Sequence, residues 1–188
     1  MNNSISLLQK LASEHRLSLD EYQCLIDAYS PETARLAASL ADKARREVFG
    51  NKVYIRGLIE ISSFCRCDCY YCGIRRSNKN CQRYRLTDEQ ILDCCREGWQ
   101  LGFRTFVLQG GEGIYTADEV AGVVAKIKSE YPDCAVTLSL GEYSREDYAK
   151  MRASGADRYL LRHETADPEH YKRLHPPAQS YDNRMRCL

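Results

Sequence analysis

The chain has 188 residues and a formal net charge of +1 at pH 7, which is long enough for one domain with a real core. So small a net charge argues against nucleic acid as a partner, because phosphate binding needs a clear excess of basic residues. No apolar run approaches the roughly 20 residues of a membrane span. Polar residues interrupt the N-terminus, so no signal peptide is expected and the expected compartment is the reducing cytoplasm.

The first 50 residues are predicted to form an N-terminal helical segment. Leucines recur at helical spacing near its start, and residues 17–28 form a second helical stretch. A third stretch begins at Pro31, a residue that suits the first turn of a helix, and runs to Gly50.

From residue 51 onward, short β-rich runs alternate with helical runs. Most of the helical runs begin with a capping residue, as at Thr87, which has Gln90 three residues later. Repeated β-loop-α units predict a parallel sheet with right-handed crossovers. The runs predicted as strands are residues 53–61, 104–109, 134–140 and 158–161.

Four such units predict an α/β fold that is a partial (β/α)₈ TIM-like barrel over residues 51–188. A whole barrel needs at least ~200 residues. An open half barrel leaves its first and fourth strands unpaired at the edges, which favours aggregation. We therefore expect the sequence to be the first half of a longer barrel, with its site in the loops that follow the strands.

Four of the ten cysteines lie in the loop after the first predicted strand, at Cys65, Cys67, Cys69 and Cys72. The C-x₃-C-x₂-C spacing of Cys65, Cys69 and Cys72 suits a [4Fe–4S] cluster, since three thiolates leave one iron open to a substrate or cofactor. Structural zinc needs four ligands, usually as two separated pairs, and no second C-x-x-C is present. Because Cys67 lies among the other three cysteines, a site in which all four cysteines bind one metal is a second alternative. A third is that the cysteines are free thiols.

The cysteine loop, with Tyr71 before its last cysteine, resembles the radical S-adenosylmethionine (SAM) superfamily, as does the segment Gly110-Gly111-Glu112 after the second strand. The resemblance implies that the amino and carboxylate groups of SAM chelate the open iron. It also implies that reductive cleavage of SAM yields a 5′-deoxyadenosyl radical, so the chain is expected to be an enzyme.

A narrower resemblance is to the HydE family of [FeFe]-hydrogenase maturases, on residues 72–76 with Asn78, 83–87, 107–112, 137–142 and 155–166. It implies H-cluster maturation on a small-molecule or organometallic substrate, with a reducing electron donor and other maturases as partners. Two alternatives stay open. One is an enzyme of the biotin synthase or methylornithine synthase type with an organic substrate, and the other is an inactive metal-binding half barrel.

The resemblance also implies site residues at matching positions of this sequence. Cys67 departs from the pattern, because it lies inside the C-x₃-C spacer. The implied cluster ligands are Cys65, Cys69 and Cys72; the implied SAM contacts are Tyr71, Gln109, Gly110, Gly111, Glu112, Glu164 and Arg184; and the implied substrate contacts are Thr137 and Arg162.

Overall fold

A computed structural model describes residues 3–188, which fall into two compact units divided between Tyr54 and Ile55. The first unit contains helices α1 (Asn3–Glu14), α2 (Leu19–Asp27) and α3 (Pro31–Phe49). Ser18 and Ser30 cap α2 and α3 by accepting hydrogen bonds from the third residue of each helix. Each cap satisfies a backbone donor that the helix itself leaves free.

The second unit is a four-stranded parallel sheet in the order β1-β2-β3-β4, with helices between the strands. The predicted α/β fold with about four β/α units is therefore confirmed. Among residues 3–188, no helix has both the length and the hydropathy of a membrane span. The elements are β1 (Gly57–Ser62), α4 (Asp88–Gln100), β2 (Thr105–Gly110), α5 (Ala117–Glu130), β3 (Ala135–Ser139), α6 (Arg145–Ala153), β4 (Arg158–Tyr159), α7 (Pro168–Leu174) and α8 (Tyr181–Cys187).

One face of β2 packs in the apolar core, and the other carries polar side chains. Phe106 and Leu108 are buried in the core together with apolar residues of α4, α5 and α6. Gln109 points to the opposite face, since side chains alternate along a strand. The register aligns Gln109 with Glu60 of β1 and Ser139 of β3, so polar residues form a row near the carboxyl ends of the strands.

Strands β1 and β4 differ most from the predicted runs, and β3 is one residue shorter at each end. Strand β1 begins at Gly57 rather than residue 53, because its ladder begins with the pairing of Gly57 and Phe106. The preceding Val53 and Ile55 stay exposed, at 85% and 63%. Strand β4 has only two residues, both paired with β3. High β propensity makes a strand only where a neighbouring strand offers hydrogen-bond partners.

Candidate functional site

A cavity of about 410 Å³ opens at the carboxyl edge of the sheet, and loops that follow all four strands contribute to it. Its walls contain the predicted cluster ligands, the predicted SAM contacts and Arg162, but not Thr137. Thr137 is buried in β3, and its hydroxyl has no hydrogen-bond partner among residues 3–188. The cavity is lined by Glu60, Ser62, Ser63, Cys65, Cys67, Cys69, Tyr71, Cys72, Ile74, Cys81, Gln82, Tyr84, Gln109, Gly110, Gly111, Glu112, Ser139, Gly141, Leu160, Leu161, Arg162, Glu164, His175 and Arg184.

The cysteine loop is folded around the guanidinium of Arg83. That group donates hydrogen bonds to the backbone carbonyls of Ile74 (2.9 Å), Arg75 (2.7 Å) and Asn78 (3.2 Å), and also to that of Ser63. One side chain thus ties both ends of the loop together. Hydrogen bonds from a charged donor are stronger than neutral ones, so the path of the loop is well defined without a bound ligand.

The segment after β2 packs directly on the start of the cysteine loop. A Cβ atom placed on Gly111 would overlap the carbonyl oxygen of Phe64 and lie 2.5 Å from Cβ of Cys65. The backbone N–H of Arg66 donates to the carbonyl of Glu112 at 2.9 Å. Glycine is therefore required at position 111 because the two backbones meet there.

A buried group of three charges lies behind the cysteine loop. Arg184, which is 6% exposed, has Nη2 2.5 Å from Oε1 of Glu112 and Nε 2.8 Å from Oε1 of Glu142. Burial alone would lower the pKa of Arg184, but the charges of Glu112 and Glu142 raise it above its usual value. Two carboxylates and one guanidinium leave this group, called the Arg184 triad below, with a formal charge of −1.

Three of the clustered cysteines, Cys65, Cys67 and Cys69, have shifted pKa values. Hydrogen bonds from the thiol and the backbone N–H of Cys67 lower the pKa of Cys65 to about 6. The same thiol contact with Cys65, together with burial and the charge of Glu112, raises the pKa of Cys67. Burial raises the pKa of Cys69. The thiol of Cys65 therefore loses its proton more readily than that of Cys67.

The side chain of Cys67 also has a partner outside the cysteine loop. Its Sγ lies 3.7 Å from Oε2 of Glu112, to which it donates. We therefore expect Cys67→Ala to retain the iron content of the reconstituted wild-type chain, to be measured by colorimetric iron and acid-labile sulfide assays. Loss of more than half of the iron in this variant would show that Cys67 is a ligand.

Tyr71 and Glu164 line the cavity beside Cys69. The hydroxyl of Tyr71 lies 3.3 Å from Nε2 of His175, a residue that is only 3% exposed. Burial raises the pKa of Tyr71, and the charges of Cys69 and Glu164 raise it further. Glu164 has φ +66°, a left-handed conformation that is uncommon outside glycine and is often found at ligand sites.

Arg162 is the remaining predicted polar residue of the cavity, and two residues that were not predicted contact the cysteine loop. Arg162 donates from Nη2 to Oε1 of Gln109 at 3.4 Å. His175 and Gln179 were not indicated by the sequence, although His175 lines the cavity and Gln179 contacts Cys69 at 3.3 Å. Both follow α7, and no motif or spacing links them to the cysteine loop.

The donor set and the shape of the cavity fit an iron–sulfur cluster with a bound amino-acid cofactor. Cys65, Cys69 and Cys72 are free thiols around one cavity, and thiolates are the usual ligands of such clusters. Over residues 3–188, no three His, Cys, Asp or Glu side chains converge on a position for a single metal ion. The Arg184 triad offers both a cation and carboxylates to a zwitterion.

Comparisons with known proteins agree with this chemistry. The family model of the Radical SAM superfamily matches residues 59–188. The chain is 50% identical over 150 residues to the [FeFe] hydrogenase maturase subunit HydE of Thermotoga maritima. The aligned residues cover 79% of this chain and 42% of that protein. It is 30% identical over 169 residues to 3-methylornithine synthase of Methanosarcina acetivorans, covering 88% of this chain and 48% of that protein.

Solved structures show the same fold. The crystal structure of methylornithine synthase aligns with a TM-score of 0.80 at 29% identity, over 96% of this chain and 54% of that one. The structure of HydG, a maturase of the [FeFe]-hydrogenase, aligns with a TM-score of 0.86 at 22% identity, over 98% of this chain and 42% of that one. The chain therefore spans about half the length of the relatives it matches.

Proposed function

Since the chain belongs to the radical SAM superfamily, whose enzymes use a [4Fe–4S] cluster and SAM, we propose that Cys65, Cys69 and Cys72 hold that cluster here. The observation that carries this proposal is that all three thiols line one cavity with the Gly110–Glu112 segment and Arg184. Loops separated by more than a hundred residues converge there only because the parallel strands end at one edge.

The Arg184 triad is the proposed site for the methionine end of SAM. A guanidinium binds a carboxylate, and a carboxylate of Glu112 accepts from an ammonium. The net negative charge of the triad favours the ammonium, and its burial strengthens both contacts. Once bound, the cluster and SAM supply the reductive cleavage that yields a 5′-deoxyadenosyl radical.

The other cavity residues are proposed to bind the rest of the cofactor. Glu164 would accept hydrogen bonds from ribose hydroxyls, the backbone at Tyr71 would contact the adenine, and Gln109 would contact the methionine end. The left-handed backbone at Glu164 supports this, because such strain is usually retained where a side chain must face a ligand.

We propose that the activity is HydE-like maturation of the [FeFe]-hydrogenase H-cluster, with an organometallic substrate, a reducing electron donor and other maturases as partners. The 50% identity to HydE over 79% of this chain supports it. Arg162 supplies a positive charge at the cavity wall for an anionic substrate. Thr137 is proposed as a second contact, through the hydroxyl that has no partner among residues 3–188.

The second candidate is a radical SAM enzyme with an organic substrate. It is favoured by the 30% identity to 3-methylornithine synthase over 88% of this chain and by the TM-score of 0.80 with the methylornithine synthase structure. The two candidates differ in which compound stimulates SAM cleavage. More 5′-deoxyadenosine with an iron–carbonyl–cyanide compound would support the maturase, whereas more with a free amino acid would support the second candidate.

The cluster proposal predicts that Cys69→Ala lowers iron from about four atoms per chain to near zero. Anaerobic reconstitution followed by iron analysis and electron paramagnetic resonance (EPR) measures this, with Cys67→Ala as the matched cysteine control. The wild-type EPR signal is expected to change when SAM is added. Stoichiometric zinc without iron uptake, or a Cys69→Ala chain with full iron, would contradict the proposal.

A further inference from the structure

The turn between α7 and α8 contacts a cysteine proposed to bind the cluster. Nε2 of Gln179 lies 3.3 Å from Sγ of Cys69, although the two residues are 110 positions apart. Oε1 of the same amide lies 3.5 Å from that sulfur, which donates to it as a thiol. A cysteine that binds iron has no proton to donate, so only the hydrogen bond from Nε2 to the sulfur persists in the loaded protein.

Backbone contacts fix the position of this turn. The N–H of Tyr70 donates to the carbonyl of Leu174 at 3.0 Å, which joins the cysteine loop to the end of α7. The N–H of Gln179 donates to the carbonyl of Pro176 at 2.9 Å and closes the turn. Gln179 is half-buried, and both polar atoms of its amide contact the Cys69 sulfur.

The neighbouring His175 gives the turn a second anchor on the same loop. Its ring stacks on Tyr171 with centroids 3.9 Å apart, and its Nδ1 lies 2.9 Å from the Tyr171 carbonyl oxygen. Its Nε2 contacts the hydroxyl of Tyr71 at 3.3 Å. Cys69 is thus followed directly by two residues, Tyr70 and Tyr71, that are tied to α7 and the residue after it.

An amide donor at a cluster sulfur affects the two oxidation states of the cluster unequally. One-electron reduction adds a negative charge that is shared by the irons and the sulfurs. A hydrogen bond to a thiolate stabilises the more negative state more strongly, and hydrogen bonds to the sulfurs are among the determinants of cluster potential.

We infer that Gln179 is a positioning residue that raises the reduction potential of the cluster through its amide hydrogen bond to the Cys69 sulfur. The inference rests on the proposed cluster ligation by Cys65, Cys69 and Cys72. Through Gln179, the turn between α7 and α8 then makes the cluster easier to reduce by an external one-electron donor.

The test is an EPR-monitored potentiometric titration of the reconstituted 188-residue chain and of Gln179→Leu, with dithionite as reductant. The variant is expected to have a lower midpoint potential. At the midpoint potential of the wild type, the ratio of reduced to oxidised cluster in the variant is expected to be about tenfold smaller. For a one-electron couple a tenfold change corresponds to about 59 mV. Gln82→Leu is the matched control, because Gln82 lines the same cavity and its side chain makes no hydrogen bond to a cysteine among residues 3–188. The midpoint of this control is expected to equal that of the wild type.

Iron analysis before each titration separates this inference from the proposed function. If the wild-type chain takes up no iron, the cluster proposal fails and the inference fails with it. If Gln179→Leu loads iron and has the wild-type midpoint, only the inference is overturned. If Gln179→Leu does not load, Gln179→Glu is titrated in its place and is expected to show a lower midpoint, since a carboxylate cannot donate. An unchanged midpoint in that variant, or failure of both variants to load beside a loaded wild type, overturns the inference.

Discussion

Arg184→Met is expected to lower the free energy of unfolding by about 3–5 kcal/mol, the usual cost of removing one partner from a buried ion pair. Methionine keeps the unbranched apolar stem of the side chain and removes the charged group. The substitution leaves the carboxylates of Glu112 and Glu142 unneutralised behind the cysteine loop, where both side chains are 16% exposed. Urea unfolding followed by circular dichroism at neutral pH measures the change.

Two variants test the cause of this loss. Arg186→Met makes the same change on the exposed face of the same helix and is expected to stay within about 0.5 kcal/mol of the wild type. The double variant Arg184→Met/Glu112→Gln removes one of the unpaired charges and is expected to recover part of the stability. A single variant as stable as the wild type would show that the ion pairs do not hold α8 in place.

Gly111→Ala is expected to destabilise the chain by about 3 kcal/mol, at the upper end of the range for overpacking. The added methyl group would overlap the Phe64 carbonyl oxygen and crowd Cys65, so that backbone has to move. Since Cys65 begins the proposed cluster loop, iron uptake on reconstitution is expected to fall as well. Thermal unfolding and iron analysis of the same preparation measure the two effects.

Gly122→Ala is the control for this substitution. Gly122 lies within α5, and a Cβ atom there would meet nothing within 4 Å. Alanine in an open helical position is expected to stabilise by up to about 1 kcal/mol. If Gly111→Ala were as stable as Gly122→Ala and took up full iron, the close packing of the two loops would not be needed for the site.

Local features of the sequence predicted the elements well. The capping pair of Thr87 and Gln90 forms as predicted and starts α4, and the box at Thr116 starts α5 in the same way. Such signals depend on residues three or four positions apart, so they are visible without tertiary information. The extent of β1 was not predicted correctly, because strand length depends on the ladder with β2.

The resemblance of the strand-end motifs to a known superfamily predicted the cavity, because those motifs lie at the carboxyl ends of parallel strands. Thr137 is the predicted residue that does not line it. The register places Thr137 beside Val107 and Arg158, farther from the carboxyl edge than Ser139. Strand periodicity gives the face on which a side chain lies, but depth in the barrel depends on register between strands.

The sequence by itself determined the cysteine spacing, the order of the β/α units and the helix starts, because each depends on residues close together in the chain. Only the tertiary structure decided that Gln179 reaches Cys69 and that Arg184 lies between Glu112 and Glu142. These contacts join segments separated by tens of residues, and strand register and helix packing set their distances. The opposite pKa shifts of Cys65 and Cys67 also arise there, since they depend on burial and on Glu112 from another loop.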